Sequence, residues 1–198
     1  MGWGDKMKSA RYLTALGLFI TLYQTSPTSA QPTSHTTYSY FLVSGNSLPE
    51  LHSNMVRNGP TANGVRGYGT TTAIMGRRMS AGACSAKGSY HFDVEFLIKL
   101  PRASKTVALS AGELGMWSRF AQFVKKHEET HRTIWMGCAA EFDRLLQAST
   151  SQNCAARQAK AMSLWREMVA VCRPKQIAFD GAQQGVLSKN PFIRQAAR

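Results

Sequence analysis

The sequence predicts an α+β domain on three observations: an alternating apolar segment from Ser89 to Leu100, a heptad-spaced apolar stripe from about Ala111 to Gln147, and strand-like segments that precede the helical ones. The expected architecture is a small, mostly antiparallel sheet packed on the long helix, with a second helix following it.

The first thirty residues stand apart from that domain. Lys6, Lys8 and Arg11 form a positive start, Tyr12 to Tyr23 an apolar run, and Thr28-Ser29-Ala30 a small-residue cleavage site, the pattern of a secretory signal peptide removed after Ala30. Residues 31–198 are then one mature domain, long enough to bury a sizeable core, with a secreted or periplasmic destination of the Gram-negative type. No other stretch reaches the roughly 18 apolar residues of a membrane helix, so no stable membrane insertion is expected after cleavage. The mature part keeps 21 of the 24 basic and 10 of the 11 acidic side chains, a net charge of about +11. Its cations are scattered, no basic run exceeds two residues, and no nucleic-acid partner is expected.

Within the domain, Gln31 to Thr37 reads as a polar leader and Tyr38 to Val43 as a strand closed by Ser44-Gly45-Asn46. Ser47 and Glu50 have capping-box spacing and open a short helix to about Arg57, stopped by Asn58-Gly59-Pro60. Gly64 to Met79 fits a strand or hairpin with irregular edges. In the next strand Tyr90, Phe92, Val94, Phe96 and Ile98 share one face, and Pro101 is expected to end it. On the long helix Trp117, Val124, His131, Cys138 and Leu145 recur every seven residues, with Phe120, His127 and Ile134 a turn away, so both histidines lie on the buried stripe. After a loop at Ala148 to Asn153, a second helix spans Cys154 to Cys172 and is expected to stop at Arg173-Pro174. The tail from Gly181 shows no period.

Four cysteines in an exported chain point to two disulfides rather than to thiolate ligands. Cys154 and Cys172 lie too far apart along one helix to pair. Two pairings remain: Cys84–Cys154 with Cys138–Cys172, or Cys84–Cys172 with Cys138–Cys154.

The chemistry sits at His127-Glu128-Glu129-Thr130-His131, an H-E-x-x-H sequence on the long helix. Residues four apart share a helix face, so both imidazoles can reach one zinc ion, while Glu128 points at the water beside it. Zinc lowers the pKa of such a water to about 7, and the carboxylate can take its proton as general base in peptide hydrolysis. The sequence offers no H-x-x-G-x-x-H continuation, so a third ligand must come from elsewhere. Glu141 is about 15 Å along the same helix from His131. A hairpin turning near residue 150 would bring Glu167 level with residue 133; His52, His91 and Asp180 are the other candidates. Tyr68, Tyr90, His52 and His91 could each stabilise an oxyanion.

Tyr40 to Leu51, Asn58-Gly59-Pro60 with Gly64 and Arg66, Cys84, Leu100-Pro101, and Trp117-x-x-Phe120 leading into the H-E-x-x-H segment together resemble the DUF922 family of bacterial secreted proteins. That family is described as Zn-dependent proteases and grouped with the zincin-like peptidases. The resemblance implies a zincin-like fold, with the motif helix beneath a sheet whose edge holds an extended peptide. It also implies a protein or peptide substrate and a zinc cofactor. Gly181-x-x-Gln184-Gly185 matches the family's closing segment, and an ungapped comparison puts Asp180 where the family has histidine. Asp180 is thereby implied as the third zinc ligand. The competing reading is a secreted, non-catalytic binding protein with a degenerate metal site.

Overall fold

The computed structural model describes residues 32–62, 64–76, 92–104, 108–149 and 153–198. The signal-peptide reading, Cys84, Tyr90, His91 and the end of the Gly64–Met79 segment lie outside them.

Strand β1 covers Thr33–Val43, and Thr33 and the residues after it already pair, so the expected polar leader is largely strand. Helix α1, Leu48–Asn58, is capped by Ser47, whose side chain accepts from Glu50 N. Glu50 reaches back to Asn46 N at 2.8 Å rather than to Ser47, a variant of the reciprocal box. The two-residue strands β2, Thr61–Ala62, and β3, Val65–Arg66, pair with each other, and β4, Thr70–Gly76, follows. Strand β5, Asp93–Ala103, lies between β1 and β4.

The α+β class holds, with the sheet mixed: β1 runs parallel to β5, and β4 antiparallel to it. The parallel pairing follows from the excursion through α1 and β2 to β4, which returns the chain to the end where β1 began. Pro101 does not end β5. The register with β4 stops at Lys99, so among the described residues β5 is an edge on that side where the proline lacks its N–H, and the strand continues beside β1 to Ala103.

Helix α2 spans Ala111–Gln147, as its periodicity predicted, and starts from a reciprocal capping box between Ser110 and Glu113. Trp117, Phe120, Val124 and Cys138 are buried. Leu145 is 41% exposed, however, and Leu146 takes its place at 3%. A straight helix drifts about 20° per heptad, so four heptads carry a seven-residue stripe roughly a fifth of a turn off the core.

Helix α3 runs Cys154–Ser188, straight through Pro174, and the tail continues into α4, Pro191–Ala196. Both observations correct the expected stop at Arg173-Pro174. A proline costs one backbone hydrogen bond and a steric penalty of about 3 kcal/mol, which packing along the α2–α3 seam and a disulfide there outweigh. Phe192 of α4 is fully buried and stacks on Phe120 with ring centres 4.5 Å apart. One cluster of core residues joins α1, α2, α4 and the C-terminal ends of β1 and β5; a second joins α2, α3 and the N-terminal half of β5. None of the described helices is long and apolar enough to cross a membrane.

Candidate metal centre

Helices α2 and α3 form an antiparallel hairpin whose register is fixed by three facing pairs. Cys138 and Cys172 are disulfide-bonded with Cα atoms 6.1 Å apart. His131 is hydrogen-bonded to Gln176, and His127 lies against Asp180. These pairs centre the hairpin near Cys154 rather than residue 150. Glu167 is therefore carried away from the histidines: it is exposed, bonded to Ser163, and about 20 Å along α3 from Asp180. Cys154 is also disulfide-bonded, which excludes it as a thiolate ligand.

Three ligand atoms converge between the helices. His131 Nε2 is 3.0 Å from His127 Nε2 and 3.0 Å from Asp180 Oδ1, and His127 Nε2 is 3.2 Å from the same oxygen. Zinc bonds of 2.0–2.1 Å in tetrahedral geometry require ligand atoms about 3.3 Å apart, close to this triangle. Phe179 stacks on His127 at 4.8 Å and meets His131 edge-on at 5.0 Å, holding both rings. Asp180 is half exposed, so the centre opens to solvent on that side.

Hydrogen bonding defines which imidazole atoms are free to bind. Gln176 Nε2 donates to the His131 backbone carbonyl at 3.1 Å, which leaves Gln176 Oε1 to accept from His131 Nδ1. With Nδ1 engaged, Nε2 is the His131 ring atom left facing His127 Nε2 and the carboxylate. Burial, reinforced by His131, lowers the pKa of His127 below its ordinary value, against the opposing pull of Asp180, and so favours the neutral ligand form. Two imidazole lone pairs and a carboxylate oxygen in mutual contact are a donor set that fits a divalent cation.

Glu128, next along α2 and about 100° around it from His127, faces β4. It is 4% exposed, and Thr71 of β4 places its hydroxyl 2.8 Å from Oε2 and 2.9 Å from the Glu128 backbone oxygen. Its other oxygen abuts Gly69, where an added Cβ would come within 2.8 Å of Oε1. Burial is the main cause that raises its pKa to about 6, while the Thr71 hydrogen bond pulls the other way.

Both groups line one cleft of about 860 Å³, with α2 as floor, α3 as one wall and the 65–71 segment as the other. Residue by residue, the structure brings together His127, Glu128, His131 and Asp180. His52 does not join them; its Nε2 bonds the Tyr68 hydroxyl at 2.9 Å beside Phe120 and Phe192. The sequence reading missed Gln176, Thr71 and Gly69. Cys172, Gln176 and Asp180 are spaced four apart along a helix that continues past Pro174, a pattern hidden by the stop expected there.

A family profile described as "Bacterial protein of unknown function (DUF922)" matches residues 38–186, a span that contains every residue of this centre. No curated protein and no solved structure matches the chain.

Proposed function

We propose, from the premise that the chain belongs to the DUF922 family of bacterial proteins of unknown function, that it is an exported zinc-dependent peptidase. The supporting observation is the convergence of His127, His131 and Asp180 within 3.2 Å, one residue from a carboxylate whose pKa burial raises to about 6.

His127, His131 and Asp180 would hold the metal, and Gln176 would orient His131. When bound, zinc supplies a Lewis acid that polarises a carbonyl and acidifies water. Glu128 takes one proton from water at a carboxylate oxygen as the water oxygen bonds to the peptide carbonyl carbon. It then returns the proton to the departing amine as the C–N bond breaks. Burial raises the pKa of the Glu128 carboxylate and so favours its holding the proton between the two transfers. Among the described residues β4 is a sheet edge beside the cleft, and an extended substrate backbone would align along it.

Purified protein should carry one zinc per chain by elemental analysis and cleave unfolded casein in a chelator-sensitive way. Glu128→Gln should keep the zinc and lower the rate about a hundredfold or more. Asp180→Ala should shed zinc, whereas Glu167→Ala should not. Undiminished cleavage by Glu128→Gln would end the proposal.

A further inference from the structure

The cleft walls carry solvent-exposed apolar side chains among their polar ones. Val65 of β3 is 71% exposed and Ile177 of α3 is 62% exposed, on opposite walls; among the described large hydrophobics only Leu42 falls between them. Val56, 44% exposed, also lines the cleft, as does Leu187, which is partly buried against the core. A single exposed aliphatic residue needs no explanation. Three on one concave opening, beside a cluster of polar groups, make a lining suited to apolar side chains.

The charges in that lining are as informative. Apart from Glu128 and Asp180, which belong to the centre, the charged residues of the walls are Arg66 and Arg173, both cationic. Strand β4 begins within the lining at Thr70 and Thr71, and among the described residues no strand pairs with its far side. A peptide running along that edge would send alternate side chains between the walls.

We propose that the cleft selects extended peptide segments carrying bulky apolar side chains and rejects segments carrying Lys or Arg, with Val65 and Ile177 as specificity-determining residues. The proposal rests on the peptidase reading and names the substrate class of that same site.

The test is digestion of a proteome-derived peptide library by the purified protein, read by mass spectrometry. Leu, Met, Phe or Val should be enriched beside the cut, and Lys and Arg depleted. Val65→Asp and Ile177→Asp, both at exposed positions, should each lower kcat/KM for an apolar reporter peptide about tenfold or more and raise it for a Lys-containing one, with zinc content unchanged. A parallel fluorescence-anisotropy titration of labelled apolar and basic peptides separates the two ideas. Cleavage without apolar enrichment, or with selectivity unchanged in both variants, overturns the specificity proposal and leaves the peptidase reading standing. Selective binding of the apolar peptide without cleavage supports the apolar cleft and refutes the peptidase. Neither cleavage nor selective binding overturns both.

Discussion

Replacing Gln176 with Leu would probe how firmly the second helix holds the metal-binding face of the first. The side chain makes two hydrogen bonds to one residue, accepting from His131 Nδ1 and donating to the His131 carbonyl at 3.1 Å. Each such bond contributes a net ~0.5–1.5 kcal/mol, so the pair puts about 1–3 kcal/mol into the orientation and tautomer of His131. At about 1.4 kcal/mol per factor of ten, zinc affinity should fall roughly five- to hundredfold in Gln176→Leu. Competition of the protein against a chromophoric chelator measures this directly, and a melting curve by circular dichroism checks that the variant, altered at a buried position, is folded. Gln176→Glu keeps an acceptor for Nδ1–H and should recover most of the lost affinity. An unchanged Kd in Gln176→Leu, or a Glu variant as weak as the Leu one, would refute the argument that the tautomer is set from α3.

Three further outcomes are expected. Because burial raises Glu128 from an ordinary 4.5 to about 6, the folded metal-free protein binds this proton more tightly than the unfolded chain does. That contribution, about 2 kcal/mol, is fully present below pH 4.5 and is lost as pH rises through about 6. The melting temperature of metal-free wild type relative to metal-free Glu128→Gln should fall across that window, and a constant difference would contradict the burial argument. Gly69→Ala drives a methyl within 2.8 Å of Glu128 Oε1 and 2.9 Å of Val124 Cγ1, so activity should drop about tenfold or more with zinc retained; wild-type turnover would show that the carboxylate is not confined there. Peptide mapping without reductant should recover Cys138 joined to Cys172 and Cys84 joined to Cys154, with no free thiol, and a Cys84–Cys172 peptide would contradict the hairpin register.

Much of the fold was legible where the signal was local. Helix α2 begins and ends where its apolar spacing said, because 37 residues of one stripe leave little choice of face. The β5 face, Phe92 through Ile98, is buried as the alternation required. What escaped the sequence was set by partners distant in the chain. Pro174 is a strong local stop signal, yet α3 is held along its length by α2, and tertiary packing overrides propensity. The parallel sense of β1 depends on the route through α1 and β4, which no strand motif encodes. At the centre, His127, Glu128 and His131 came from spacing alone. Asp180 stood among several third-ligand candidates until the family resemblance singled it out, because its spacing from the histidines has meaning only once the hairpin register is known. Gln176 carried no signal while the helix was taken to end before it.

The same register governs which changes in chain length the protein can absorb. Facing positions on α2 and α3 are pinned by the Cys138–Cys172 bridge and the His131–Gln176 contact, not by the connection at residues 148–153. Insertions in that connection should therefore leave the ligand triangle intact, since lengthening a loop adds only a few tenths of a kcal/mol. Deletion of one residue between Cys172 and Asp180 is different in kind. It would swing the carboxylate about 100° around the α3 axis and point it away from both imidazoles. Natural variants of this chain should accordingly differ in length at the hairpin tip and never between the cysteine and the aspartate.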